Sequence, residues 1–114
     1  SLVIAHSPCI AHGYDLVNSP VQQKRAIASG MWPLYRFDPR RVDRGEAPLV
    51  LDSGAETLDV GAYMESEARF RMVELRDPER YAHLVAAARD AVRQRRALYE
   101  QLAQIHLPKE LGHV

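Results

Sequence analysis

The chain has 114 residues, 15 basic and 15 acidic side chains, a formal net charge of +0 and a hydrophobic share of 46%. That length supports one hydrophobic core and not two, and the balanced charge and ordinary composition exclude a nucleic-acid partner and a disordered chain. No apolar run approaches the roughly 18 residues of a membrane-spanning helix. The amino terminus lacks a basic-then-apolar leader pattern and the single cysteine forms no internal disulfide, so the expected compartment is the cytoplasm.

In chain order, Ser1-Leu2-Val3-Ile4 opens without an initiator methionine and reads as a fragment cut at the edge of a strand. Leu2 to Ala5 is an unbroken apolar run of the kind buried on both faces of a parallel sheet. Its neighbours are not evident nearby and are expected upstream. Ser7 to Ser19 has the composition of a loop. Asn18-Ser19-Pro20 reads as a helix start, the helix running to about Ser29, where Gly30 is free to take the left-handed closing conformation. Trp32 to Phe37 and Leu49 to Leu51 read as two strands around a polar, arginine-rich connection from Asp38 to Pro48, with Pro33 confining the first to an edge or to a start after it. From Asp59, apolar residues at Val60, Met64, Ala68, Met72 and Leu75 step mostly by four and predict one helix with a single buried stripe. Asp77-Pro78-Glu79 opens the last helix. Tyr81, Leu84, Val85, Ala88, Val92, Tyr99, Leu102 and Ile105 carry its period to about His106, before Pro108. At ~1.5 Å per residue it is roughly 40 Å long, so part of its apolar face is expected against another part of a larger protein. The fold class is thus an α+β fragment: a buried strand, a helix, an irregular β hairpin and two carboxy-terminal helices, the last longest.

Three stretches in order carry a resemblance. They are Ser1-Leu2-Val3-Ile4-Ala5-His6-Ser7-Pro8-Cys9-Ile10-Ala11-His12-Gly13, then Gln22-Gln23-Lys24 to Ser29-Gly30-Met31-Trp32-Pro33-Leu34-Tyr35-Arg36-Phe37-Asp38-Pro39, then Pro48-Leu49-Val50-Leu51-Asp52-Ser53. Glu67-Ala68-Arg69-Phe70-Arg71-Met72 fits more loosely. Together they resemble the carboxy-terminal part of pyruvate:ferredoxin (flavodoxin) oxidoreductases. The resemblance implies that residues 1–58 close an α/β thiamine-diphosphate-binding domain and that 59–114 form a helical extension. It implies that Cys9 is the last of four thiolates around a four-iron four-sulfur cluster, the other three cysteines lying upstream. The motif for thiamine diphosphate and magnesium and the pyruvate-binding residues are also upstream, so neither a cofactor contact of that kind nor a catalytic residue is assigned here. The implied reaction is the coenzyme A-dependent oxidative decarboxylation of a 2-oxoacid, with electrons leaving to ferredoxin or flavodoxin from a homodimeric parent enzyme. The fragment alone is expected to be inactive. Met31 and His6 depart from the family pattern and leave the cysteine loop intact.

Read from the residues alone, a lone cysteine is more simply an inert buried thiol; the resemblance reverses that reading. A thiolate is a soft ligand suited to iron, and a loop leaving a buried strand is where open α/β sheets place functional groups. Pro8 and Gly13 bracket Cys9 and let backbone N–H groups turn toward a sulfur. His6, Cys9 and His12 also read as a three-ligand zinc set or a Cys-His nucleophilic site, against the plainer reading of packed or solvated histidines. A non-catalytic helical interaction module is a further alternative, motivated by the long last helix. Arg93, Arg95 and Arg96 with Arg40, Arg41 and Arg44 form either a docking surface for an acidic electron carrier or, more simply, a solvated helix face and loop. Trp32, Tyr35 and Phe37 read as core.

Overall fold

In the computed structural model, which describes residues 1–108, the first helix is α1 (Ser19–Ala28). Pro20 stands in its first turn, where a missing N–H costs nothing, and the Ser19 hydroxyl donates to the Leu16 carbonyl at 2.6 Å. Its carboxyl end closes as the sequence predicts. Ser29 donates to the Arg25 carbonyl at 2.9 Å, and Gly30, at φ 76°, donates to that of Ile27 at 3.1 Å. The left-handed turn sends Trp32 back to bond the Ala26 carbonyl at 3.1 Å.

The hairpin pairs β1 (Tyr35–Phe37) antiparallel to β2 (Leu49–Leu51), with Tyr35 opposite Leu51 and Phe37 opposite Leu49. Two strands are marginal on their own. Here the arginine-rich connection braces them. Asp38 caps a 3-10 run (Pro39–Arg44) by accepting from the Arg40 N–H at 3.0 Å, and Val42 and Ala47 are buried beneath it. Arg41 donates to the Ala47 carbonyl at 2.8 Å and pairs with Glu46 at 3.0 Å.

The helix expected to run unbroken from Asp59 is two helices, α2 (Val60–Glu65) and α3 (Ala68–Arg76). Between them Glu67 is extended, at φ −124° and ψ 128°, and fully buried. The every-fourth spacing continues across this break, but the break rotates the phase. Phe70 and Val73 therefore pack on the core, while Met72 and Leu75, placed on the buried stripe by the spacing, are 52% and 80% exposed. The last helix, α4 (Pro78–Leu102), begins at Pro78 with Asp77 accepting from the Arg80 N–H at 3.0 Å, and ends at Leu102, short of the predicted His106. Tyr81, Val85 and Val92 are its buried positions; Leu84 and Ile105 are exposed.

The core gathers Ala26 of α1, Tyr63 and Met64 of α2, and Tyr81 and Val85 of α4, with Met31, Trp32, Leu58, Phe70, Val73 and Ala88 packed around them. Residues on both sides of position 58 share it. α4 is fastened along its length. Arg89 makes a paired bridge to Asp59 at 2.8 Å, Arg95 donates to the Gly30 and Met31 carbonyls, and Arg96 to those of Ser53 and Gly54.

The α+β class holds, but the buried strand is not formed within this chain. Leu2 to Ala5 make no ladder, and Leu2 and Val3 are each 85% exposed. A strand needs a neighbour for its N–H and C=O groups, and the only sheet among the described residues is the two-stranded hairpin. The carboxy-terminal end of the predicted extension, residues 109–114, lies outside the described residues.

Candidate functional site

Cys9 ends the extended amino-terminal segment, at φ −146° and ψ 137°, and its thiol is free and exposed. One 3-10 turn (Ile10–His12) follows. It is closed by His12 N–H donating to the Cys9 carbonyl and Gly13 N–H to the Ile10 carbonyl, both at 3.1 Å. Gly13 adopts φ 79°, a left-handed conformation that suits glycine. Its carbonyl accepts from the Ala68 N–H at 3.0 Å, tying the turn to the start of α3. On the other side of Cys9, the His6 ring packs against Trp32 with centroids 5.3 Å apart. The reactive atom is thus solvent-facing on a loop held at both flanks.

The seat beneath that loop is a buried polar cluster. Glu67 accepts from Gln22 at 3.0 Å and from the Tyr63 hydroxyl at 2.8 Å through one carboxylate oxygen, and from Arg69 at 2.6 Å through the other. Gln22 also donates to Ser66 at 2.6 Å. Burial by itself raises the Glu67 carboxyl, but the bonds from Gln22, Tyr63 and Arg69 outweigh it and hold the group below the usual carboxylate value. Burial, reinforced by the Glu67 carboxylate, pushes the Tyr63 hydroxyl up to about 12. Glu67 is therefore a satisfied anion that joins α1, α2 and the start of α3.

Other predicted sites behave differently. The His6 and His12 rings stack with centroids 6.1 Å apart, and His6 lies tilted against Trp32. No three His, Cys, Asp or Glu side chains among the described residues come together as a metal-binding set, so the His6–Cys9–His12 zinc reading is not realised. Arg95 and Arg96 are not a solvated face: each reaches back to loop carbonyls. Arg93 is exposed and pairs with Asp90. Arg36, Phe37, Asp38, Arg40, Arg41 and Arg44 line an open groove of about 630 Å³, but each of those arginines is engaged by Asp52, Asp38 or Glu46. Of the aromatics, Trp32 packs on the core, whereas Tyr35 is 43% exposed against Tyr99 and Phe37 is 62% exposed; a two-stranded hairpin has too little cover to bury both. No helix among the described residues is long and apolar enough to cross a membrane.

No family model matches the chain. Curated proteins do. The pyruvate-flavodoxin oxidoreductase of Rhodospirillum rubrum is 54% identical over 105 residues, 92% of this chain, and the probable pyruvate-flavodoxin oxidoreductase of Escherichia coli is 44% identical over the same share. The pyruvate:ferredoxin oxidoreductase of Moorella thermoacetica is 34% identical over 91% of the chain. The chain belongs to the pyruvate-flavodoxin oxidoreductases. It spans 9% of the length of each of these relatives, so it is a segment of such an oxidoreductase, as the resemblance over the cysteine loop, α1 and the hairpin implied.

Within this oxidoreductase segment the residues that sequence reasoning missed are Gln22, Tyr63 and Glu67, and the contact of Gly13 with Ala68. A signal was present. Tyr63 and Glu67 stand four apart, the spacing that brings side chains together on a helix, and Glu67 sits between the apolar Met64 and Ala68. A carboxylate in that position either ends a helix or is held by buried donors. Here it does both.

Proposed function

We propose that this segment supplies one thiolate, Cys9, to a four-iron four-sulfur cluster of a pyruvate:flavodoxin or pyruvate:ferredoxin oxidoreductase, and otherwise acts as scaffold. The observation that carries the reading is the exposed thiol on a braced turn, in a chain of which 105 residues are 54% identical to the Rhodospirillum rubrum enzyme. The donor chemistry fits a single ligand position: the thiolate is soft and accessible, and the chain contains no second cysteine. When bound, such a cluster takes up and releases single electrons. The remaining thiolates, together with the sites for thiamine diphosphate, magnesium, pyruvate and coenzyme A, belong to the rest of the enzyme. Residues 1–58 then form the end of the thiamine-diphosphate-binding domain and 59–114 its helical extension.

In this reading the whole enzyme is a cytoplasmic homodimer that oxidatively decarboxylates a 2-oxoacid with coenzyme A and passes electrons to a flavodoxin or ferredoxin. The exposed run Leu2 to Ala5 is the strand that completes a sheet in the remainder of the protein, where its backbone groups and side chains find partners. The test is low-temperature electron paramagnetic resonance of the dithionite-reduced intact enzyme carrying Cys9→Ala. One cluster signal is expected to disappear and pyruvate-driven reduction of flavodoxin to stop. Unchanged spectra with unchanged turnover would remove Cys9 from the ligand set.

A further inference from the structure

We propose that the outward face of α4, along Leu84, Ala87, Ala91 and Leu98, is a docking seam covered by another α-helix of the same oxidoreductase, from outside these 114 residues. Two observations carry it: the spacing and composition of that face, and the share of the enzyme that lies beyond this chain. It is independent of the role of Cys9.

α4 has two apolar stripes where its own core uses one. Tyr81, Val85 and Val92 are buried in the body, with Ala88 packed beside them. Leu84, Ala91 and Leu98 recur every seven residues on a different face, where Leu84 and Leu98 are 44% and 52% exposed and Ala87 and Ala91 are exposed between them. Scattered exposed leucines are ordinary. Here the exposed row 84, 87, 91, 94, 98, 101 steps by threes and fours as Leu, Ala, Ala, Gln, Leu, Gln, without one charge, although α4 is rich in arginine. A solvated helix face is where charges belong, and an uncharged row of that step is the seam into which a second helix sets its knobs. The two alanines admit a close approach and the two leucines anchor its ends. The face cannot turn inward, because Arg89, Arg95 and Arg96 fix α4 to Asp59 and to loop carbonyls.

The occupant follows from proportion. The chain spans 9% of the length of its Rhodospirillum rubrum and Escherichia coli relatives, so most of the surface able to meet α4 belongs to the same molecule. A helix linked in one polypeptide is present at a far higher effective concentration than a separate protein.

The experiment is hydroxyl-radical footprinting of wild-type protein, the intact oxidoreductase beside the 114-residue chain, followed by photo-cross-linking of the intact enzyme with benzoylphenylalanine in place of Ala91 or Leu98. Leu84 and Leu98 are expected to oxidise several-fold more slowly in the intact enzyme. Both cross-links are expected on one stretch of the enzyme outside this segment. They should fall about seven residues apart there, since seven residues of α4 cover ~10.5 Å; on a strand the same distance covers about three. Equal oxidation rates in the two proteins overturn the proposal. So do cross-links joining α4 to α4 of a second copy, which make the face a self-association surface, and cross-links spaced as on a strand. If a cross-linking variant does not fold, the wild-type footprint decides alone. Each of these results leaves the proposed role of Cys9 where it stands.

Discussion

The amino-terminal segment and the helical body use the same kinds of residue to opposite ends. In residues 1–17 the large apolar side chains Leu2, Val3, Ile4, Ile10 and Val17 face solvent, and the one thiol is exposed. In the body, apolar residues close a core and even a carboxylate, Glu67, is buried with every oxygen bonded. The difference lies in where the partners are. The body bonds its buried carboxylate within the chain, whereas the amino-terminal segment carries strand-like residues that join no ladder among the described residues. In the function proposed above, the thiolate sits on the segment without internal partners and the body holds that segment in place.

The largest expected effect is at the cluster that makes the body self-sufficient. Glu67→Ala leaves Gln22, Tyr63 and Arg69 without their shared acceptor, and breaking a buried charged network of this kind costs about 3–5 kcal/mol; urea unfolding of the 114-residue chain should show the loss as a fall in the midpoint. Tyr63→Phe removes one donor to that carboxylate and is expected to cost about 1–3 kcal/mol in the same assay. Stability should also fall at both ends of the pH range. Glu67 is held below its unfolded value, so its contribution is present above the ordinary carboxylate range, about 4, and is lost as acid protonates it. Tyr63 is raised to about 12, so its contribution is intact below about 10 and is lost between there and about 12, as the unfolded chain releases its proton first. Tyr63→Phe should flatten the alkaline limb and leave an acid limb. The smallest effect is expected at the amino terminus. Ile4→Asp should change the stability of the 114-residue chain by no more than about 0.5 kcal/mol, as for other exposed positions, yet lower the thermal midpoint of the intact enzyme if the segment is covered there as proposed; equal and small effects in both would erase the contrast.

Local signals were legible where local chemistry decides. Pro20 and Gly30 bounded α1, Asp77-Pro78 opened α4, and the two apolar runs around the arginine-rich connection formed the hairpin, because caps, turns and short-range pairing depend on neighbours in sequence. The break at Glu67 was not legible, since it is stabilised by Gln22, 45 residues away, and an every-fourth apolar count passes over it without a mark. The same long reach hid the roles of Arg95 and Arg96, whose acceptors lie up to 65 residues upstream. Leu2 to Ala5 carry the apolar pattern of a buried strand yet form no ladder, since no sequence pattern supplies the neighbours a ladder needs. Cys9 was singled out as a candidate through the residues around it. Its seat on Ala68 was found only from the fold.

The division of labour between a bonded body and an incomplete ligand loop is tested most directly by the iron-to-protein ratio of the intact oxidoreductase carrying Cys9→Ala. With Cys9 as one thiolate of a cluster, the ratio falls by the iron of one cluster while the enzyme stays folded with its wild-type oligomeric state, because nothing in the body depends on an exposed thiol. A folded variant with the full wild-type complement of iron contradicts the assignment.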